Sequence, residues 1–331
     1  MTMTLGLALV LFALVDMFMT VFMIGGGAGP QSSFVADRAW RLALRLHDAA
    51  SDRSHSLMRA TGPLIVLLVL FTWVLELILG WALVFAGHGF ESSEPLGFDD
   101  RLLFSARAIV GRSGNEPSLA VDGDGWELLY ALAGMSGVLM VSVGLAYVLP
   151  ILASVAHKRS IAARIHTLGD TVDDMRALGR TPGGSSFELH LVALVGEISL
   201  TAERHRSYPV LHYFHSRDPH AALAPAIAKM VVLLRGPLEE VDKVDLTVRL
   251  PLERAVANLL AALSSMGLSR YARVDGRIDH DSLDRIELDP SAGGEDRLDV
   301  PSLDWFEAYV RFDGWEWEAV PEGDSSRREP G

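Results

Sequence analysis

The sequence of 331 residues contains no cysteine, which excludes disulfide bonds, thiolate chemistry and cysteine-based zinc sites. A basic excess is also missing: the formal net charge is −13, whereas nucleic-acid binding requires Lys and Arg to neutralise phosphates. Enzyme signatures are absent too, because residues 25–29 have no strand before them and residues 111–114 (GRSG) depart from the Gly-x-Ser-x-Gly nucleophile motif. We therefore expect neither a nucleic-acid-binding protein nor an enzyme. We also expect no catalytic residue, no cofactor and no metal ion.

Charge is missing from one long apolar segment and nearly missing from two others. The first covers about residues 3–24 with Asp16 as its only charge, the second covers 63–87 with Glu76, and the third, 128–156, has none. A helix needs about 20 apolar residues to cross ~30 Å of hydrocarbon, so each segment predicts a transmembrane helix. A cleaved signal peptide is the alternative for the first segment, but a basic start is lacking and the apolar stretch is too long.

The short loops differ in their content of arginine, which predicts the orientation. The loop 25–62 holds five Arg and three Asp, whereas the loop 88–125 holds seven acids and three Arg, and Lys158 and Arg159 follow the third segment. Basic loops stay inside, so we expect the N-terminus outside and the C-terminal half in the cytoplasm, at the cell (inner) membrane. Residues 34–46 alternate Arg with apolar positions, which indicates either an interfacial helix on the inner leaflet or the cytoplasmic end of a helical hairpin.

The outer loop contains a stretch that is helical in pattern but too short to span a bilayer. Residues 99–109 begin with two acids and continue with apolar side chains. They predict a re-entrant half-helix, followed by residues 110–115 as extended backbone. Irregular backbone at membrane depth is tolerated only where it is buried in protein or lines a water-filled path. The order of span, half-helix, glycine-containing loop and span therefore predicts a pore module.

Several motifs carry a family resemblance. Phe104 and Ser105 stand at a pore-helix position, Val110, Gly111 and Gly114 follow them, and the third segment has Gly134, Gly137 and Gly144 before Tyr147. With these motifs, residues 63–160 resemble the two-span pore unit of the potassium channel superfamily, of the kind found in bacterial and two-pore channels. Residues 15–30 resemble the first span of a bacterial subgroup. Residues 168–170 (LGD) and 208–216 (YPVLHYFHS) resemble its cytoplasmic domain.

The resemblance implies an ion channel subunit that forms a homotetramer among membrane lipids and passes an ion. Its filter reads approximately Thr-Val-Gly-Tyr-Gly-Asp, and the carbonyl oxygens replace the water of the ion. Here Ile109 replaces the Thr, Arg112 the aromatic residue and Asn115 the Asp, and Ser113 is additional. Four guanidinium groups would repel cations, so potassium selectivity does not follow. The alternative is a non-conducting scaffold or signalling protein that keeps the pore fold. The candidate filter-like loop comprises Ile109, Val110, Gly111, Arg112, Ser113, Gly114 and Asn115.

Asp16 and Glu76 each lie about twelve residues into an apolar segment. A charge at the centre of a bilayer costs several kcal/mol, so such residues suggest proton sensing, cation binding or orientation of the pore. The structural alternative is that Asp16 is protonated or bonded to Thr20 one turn away, and that Glu76 makes a polar contact with the pore helix.

The C-terminal half predicts an α-helical cytoplasmic domain. Four helices are expected over residues 158–178, 186–206, 220–235 and 251–267, then an acidic loop over 276–300, and a last helix over 302–312 with Trp305, Phe306 and Tyr309 on its apolar side. The four histidines of residues 205–220 favour packing over metal binding, and residues 122–125 (DGDG) favour a turn over a calcium loop. The expected fold is an all-α membrane protein divided into residues 1–62, 63–157, 158–268 and 269–331.

Overall fold

The computed structural model describes residues 1–23, 27–49, 55–86, 97–111, 124–180, 185–235, 246–263, 309–310 and 313. Within these ranges the regular structure is entirely helical, as expected. The helices are α1 (Thr2–Phe22), α2 (Pro30–Ala49), α3 (His55–Phe85), α4 (Phe98–Ile109), α5 (Asp124–His166), α6 (Val172–Arg180), α7 (Ser185–Ser207), α8 (Leu223–Arg235) and α9 (Leu246–Leu263), with 3-10 helices at Pro209–Tyr213 and Pro219–Ala221.

The three predicted apolar segments lie on α1, α3 and α5, and each of these helices is long and apolar enough to cross a membrane. Helix α5 has 43 residues, or about 65 Å at ~1.5 Å per residue, so it is far longer than the hydrocarbon core. The separate helix predicted to start at residue 158 is therefore wrong at its start, because residues 151–168 contain no Gly or Pro that would end α5 there. Helix α6 begins at Val172, directly after Thr171, whose Oγ1 accepts the Asp174 N–H at 3.1 Å while the Asp174 carboxylate accepts the Thr171 N–H at 3.0 Å.

The chain divides into two compact units. Unit 1 comprises Met1–Ala39 and Leu64–Ile151, and unit 2 comprises Trp40–Pro63 and Leu152–Gly331. In unit 1, α1 and α3 meet at two glycines: a Cβ on Gly6 would meet the carbonyl of Gly80, and a Cβ on Gly80 would meet Val10. Small residues at such a crossing let two helix backbones approach closely. The core of unit 1 thus forms on the α1–α3 pair.

In unit 2, helix α7 packs along α9. The helix predicted over residues 186–206 is confirmed as α7, and its Phe187, Leu191, Leu194 and Ile198 are buried. After α7, residues 209–213 form a 3-10 helix that starts at Pro209. Of the predicted last helix, only Tyr309 and Val310 are described as helical, with Asp313 in a turn. The acidic loop 276–300 and residues Trp305 and Phe306 lie outside the described residues.

Candidate functional site

Helix α4 is the half-helix that the sequence predicts between α3 and α5. It begins after Gly97, whose N–H donates to the Asp100 carboxylate at 3.0 Å, and Asp99 and Asp100 lie in the first turn. Acidic side chains there compensate the positive end of the helix dipole. The twelve residues of α4 extend about 18 Å at 1.5 Å per residue. This length is well short of the ~30 Å of a hydrocarbon core.

Aromatic side chains hold α4 between the two long helices. Phe104 of α4 is buried, and its ring lies edge-on to Phe85 of α3 at 5.0 Å and 5.6 Å from Tyr130 of α5. On α3, Trp81 stacks on Phe85 at 5.8 Å and donates its indole N–H to Ser136 of α5 at 3.0 Å. Edge-on and stacked rings add stability beyond the area they bury. Helices α3, α4 and α5 are therefore joined by one aromatic cluster.

A glycine of α5 receives the C-terminal end of α4. A Cβ on Gly137 would overlap the carbonyl oxygen of Ile109, whereas a Cβ on Gly134 would stay 3.4 Å from the Ala108 oxygen. Gly144 faces Leu70 of α3, also with a clearance of 3.4 Å. Of the three glycines predicted as site residues, Gly137 is thus the one at which α4 leaves no room for a side chain.

The chain after Ile109 differs from the expected extended backbone. Ile109 is still helical, Val110 has φ −79° and ψ −3°, and Gly111 has φ +73°. Their N–H groups donate to Ala106 at 3.2 Å and Ala108 at 3.0 Å, so Val110 and Gly111 close the helix. A left-handed glycine is the common helix terminator because it has no Cβ to clash. The expectation of extended backbone is wrong for these two residues, and Arg112, Ser113, Gly114 and Asn115 lie outside the described residues.

Asp16 is fully buried in unit 1 and accepts four hydrogen bonds. Its Oδ1 accepts the N–H groups of Gln31 at 2.9 Å and Ser32 at 3.4 Å. Its Oδ2 accepts the Ser32 hydroxyl at 2.5 Å and the Trp73 indole N–H at 2.9 Å. The carboxylate therefore caps the N-terminus of α2, where backbone N–H groups and the helix dipole favour a negative charge. A Cβ on Gly29 would overlap this carboxylate.

Thr20 is not among the four donors to Asp16; its hydroxyl accepts the N–H of Gly29 at 2.9 Å. Thr20 and Asp16 together hold the start of α2 against α1. This arrangement matches the hairpin alternative for α2 rather than a helix that only lies on a leaflet. Gln31, Ser32 and Trp73 were not predicted as partners of Asp16. Pro30 at the first helical position does signal the start of a helix, but not what caps it.

Glu76 lies on α3, three residues after Trp73. Its side chain lies near the side chain of Gln31 and within electrostatic range of Asp16. Its Oε2 atom is buried, and it has no hydrogen-bond partner among the described residues. The two acids of the apolar helices therefore lie near the first turn of α2 but differ in their partners: Asp16 accepts four hydrogen bonds, whereas Oε2 of Glu76 accepts none from the described residues.

Among the described residues of unit 2, three side chains are close enough together to hold a metal ion: His166, Asp170 and His220, whose ligand atoms lie within 4.8 Å of one another. However, Nδ1 of His166 is 2.7 Å from the Lys229 ammonium, and its Nε2 is 3.2 Å from the Pro219 oxygen. The His166 and His220 rings stack at 4.6 Å, which directs their lone pairs alongside one another rather than to a common point. The Lys229 ammonium, whose pKa burial lowers to about 8, already supplies a cation, so we interpret this group as a packing contact.

Comparison with known proteins gives one similar sequence. The chain is 26% identical, over 231 residues, to an uncharacterized membrane protein, YdjJ, of Bacillus subtilis (strain 168). The chain is a membrane protein. The aligned region covers 67% of this chain and 65% of the relative, less than two thirds of its length. No family model matches the sequence, and no solved structure matches it significantly.

Proposed function

We propose that this protein is a subunit of a potassium-channel-like ion channel, with a filter whose selectivity differs from that of the family. One observation carries the proposal: a half-helix, α4, is packed between two long apolar helices by Phe104 and by Gly137. A helix too short to span a bilayer ends inside the membrane, where its terminal backbone groups must contact protein or water. A pore supplies protein around the helix and water at its end.

The end of α4 supports ion passage through electrostatics. The C-terminus of a helix carries a partial negative charge, which stabilises a nearby cation. Val110, just after α4, is 73% exposed, so this end of the half-helix is open in the single chain. In a homotetramer, four such ends would face a common axis, and the Arg112 side chains next to them would reduce cation selectivity.

The proposal includes an orientation in the cell (inner) membrane. Arginine-rich loops stay inside, which sets the N-terminus outside and the segment after α5 in the cytoplasm. Unit 2 would then be a cytoplasmic helical domain, and the partners would be the permeant ion, membrane lipids and further copies of the chain. No nucleic acid is expected as a partner.

A non-conducting membrane scaffold is the second candidate. It is favoured by the helix cap at Val110 and Gly111, where a filter would need extended backbone whose carbonyl oxygens line the path. Ile109 and Arg112, which stand where the family has Thr and an aromatic residue, also favour a non-conducting protein. A scaffold of this kind would assemble through the pore fold and pass no ion.

Current measurements on the purified protein in planar bilayers separate the two candidates. We expect a tetrameric particle with ion current, and a shift of the reversal potential toward that of potassium in Arg112→Tyr. The control is Gly196→Ala, because a Cβ at Gly196 of α7 meets nothing within 4 Å. A monomeric or dimeric particle that carries no current for any small ion would overturn the channel proposal and leave the scaffold.

A further inference from the structure

Lys158 of α5 is a buried cation in unit 2. It is 5% exposed, and its ammonium donates to the carbonyl oxygens of Leu211 at 3.4 Å and Phe214 at 3.1 Å. The same ammonium lies 4.0 Å from the Asp313 carboxylate. A buried charge is costly unless it is paired and hydrogen-bonded. The 3-10 helix Pro209–Tyr213 and Asp313 supply these partners to α5.

Asp313 reaches this position from far along the chain. Its backbone N–H donates to Tyr309 at 3.0 Å, and its carbonyl oxygen lies 2.6 Å from Nδ1 of His215. The Tyr309 ring stacks on His212 at 6.4 Å. Tyr309, Val310 and Asp313 are all buried, and we call these three residues the C-terminal latch. The C-terminal latch therefore fastens a late part of the chain onto the residues that hold Lys158.

We propose that the C-terminal latch is a proton-dependent lock on α5. The latch docks beside Lys158 more tightly when Asp313 takes up a proton. The structural basis is that the Asp313 carboxylate is buried and, among the described residues, has only a long ion pair to stabilise its charge. Its Oδ1 has no hydrogen-bond partner among the described residues, and Lys158 is already engaged by two carbonyl oxygens. Desolvation of such a charge can exceed what the ion pair returns.

The titratable groups around the Lys158–Asp313 pair come from several elements. His215 and Tyr309 lie beside Asp313, whereas His205 of α7 and His212 of the 3-10 helix lie within electrostatic range of Lys158. Burial lowers the pKa of His205 to about 3 and that of His212 well below its ordinary value, with Lys158 adding to both shifts. Burial also raises the pKa of Tyr309 well above its ordinary range. When the latch is docked, these three groups are neutral near physiological pH. A histidine that undocking exposes binds a proton below about pH 6.5 and so acts against Asp313.

The sign of the pH effect follows from Asp313. Burial raises the pKa of Asp313 to about 6, and the Lys158 charge opposes this shift without cancelling it. At Asp313, the docked latch therefore binds a proton more tightly than the undocked latch, so this group strengthens docking as pH falls through about 6 and weakens it as pH rises. Between pH 7.5 and 5.5 the contribution of Asp313 to the docking equilibrium increases about four-fold.

Helix α5 carries both Lys158 and the proposed pore glycines. A change in latch docking on acidification of the cytoplasm would therefore also change ion passage. Only that consequence rests on the proposed function. The lock itself is a property of unit 2 and can be measured without any ion flux. Loss of flux with an intact pH-dependent lock would overturn the channel proposal alone.

Hydrogen exchange of the full-length protein in lipid nanodiscs at pH 7.5 and 5.5, corrected for intrinsic exchange rates, tests the lock. The buried histidines affect the wild type and Asp313→Asn, which mimics the protonated carboxyl, in the same way. We therefore expect the protection of peptides containing residues 309–313 in the wild type, relative to Asp313→Asn, to rise about four-fold from pH 7.5 to pH 5.5. The control is Gly196→Ala, where a Cβ meets nothing within 4 Å, and it should behave like the wild type.

A second variant keeps the test valid if Asp313→Asn does not fold. Lys158→Met removes the cation that opposes protonation of Asp313, so the midpoint of the pH dependence should move to higher pH. The proposal is overturned if the protection of the wild type relative to Asp313→Asn stays constant or decreases on acidification. It is also overturned if Gly196→Ala loses the pH dependence of the wild type, or if Lys158→Met leaves the midpoint in place.

Discussion

The Asp16 carboxylate of α1 accepts the indole N–H of Trp73 of α3 at 2.9 Å, and both side chains are buried in unit 1. The same carboxylate caps α2, so one acidic side chain joins three helices. This role explains why a charge is kept in an apolar segment: its cost is offset by four donors and a helix N-terminus.

Asp16→Ala should therefore destabilise the protein strongly, by about 3–5 kcal/mol, because it leaves the donors of Gln31, Ser32 and Trp73 buried without an acceptor. Asp16→Asn keeps one acceptor oxygen and should lose less. The control is Thr4→Ala on the same helix, where the hydroxyl bonds only to the exposed Met1 carbonyl. Chemical unfolding in detergent micelles measures the difference. Equal stability of Asp16→Ala and the control would show that Asp16 does not hold the three helices together.

Gly137→Ala and Gly134→Ala form a matched pair on α5, one turn apart. A Cβ at position 137 would overlap the Ile109 carbonyl oxygen, whereas position 134 leaves 3.4 Å. Overpacking of this kind costs about 1–3 kcal/mol, so we expect Gly137→Ala to melt at a lower temperature than Gly134→Ala. Thermal unfolding of the two purified variants decides the matter. Identical melting temperatures would mean that α4 does not rest on Gly137.

Glu76→Gln tests the difference between the two intramembrane acids. Because Oε2 of Glu76 has no donor among the described residues, a neutral amide of the same shape should change the free energy of unfolding by less than about 1 kcal/mol. Asp16→Asn, measured alongside, should be the more damaging change. The reverse order, with Glu76→Gln unfolding first, would assign the structural role to Glu76.

His205 predicts how the stability of unit 2 depends on pH. Burial and the Lys158 charge lower the pKa of His205 to about 3. The folded state therefore binds fewer protons than the unfolded state, and stability falls as pH drops below the ordinary histidine value of about 6.5. The loss approaches roughly 1.4 kcal/mol for each pH unit.

His205→Gln should remove this contribution while keeping a donor for the Thr201 carbonyl, to which Nδ1 of His205 is bonded at 2.9 Å. We expect the variant to lose less stability than the wild type between pH 6.5 and 4.5 in urea unfolding experiments. Parallel pH profiles for the two proteins would count against a buried neutral imidazole.

Local patterns predicted much of the fold. The three apolar runs located α1, α3 and α5, and the two acids before an apolar stretch located α4, because helix starts and burial depend on neighbouring residues. The docking of α2 onto Asp16 was not predicted, since nothing in the sequence around Asp16 specifies Ser32 or Trp73 as its donors. The contact of Lys158 with Asp313 was missed for the same reason.

The candidate site was predicted in position but not in backbone conformation. Gly111 was expected in extended chain, yet it ends α4 with a positive φ. Glycine permits both states at little cost. The helical ending at Val110 and Gly111 occurs where Ile109 of α4 packs on Gly137, a contact that the local sequence does not reveal.

The most direct test of the central claim is ion flux into liposomes that contain the purified wild-type protein, with potassium, sodium and chloride compared side by side. An ion pathway beside α4 predicts flux above that of empty liposomes for at least one of these ions, with a preference for potassium over sodium weaker than in Arg112→Tyr. Flux equal to that of empty liposomes for all three ions, from protein shown to be folded and inserted, would contradict the account.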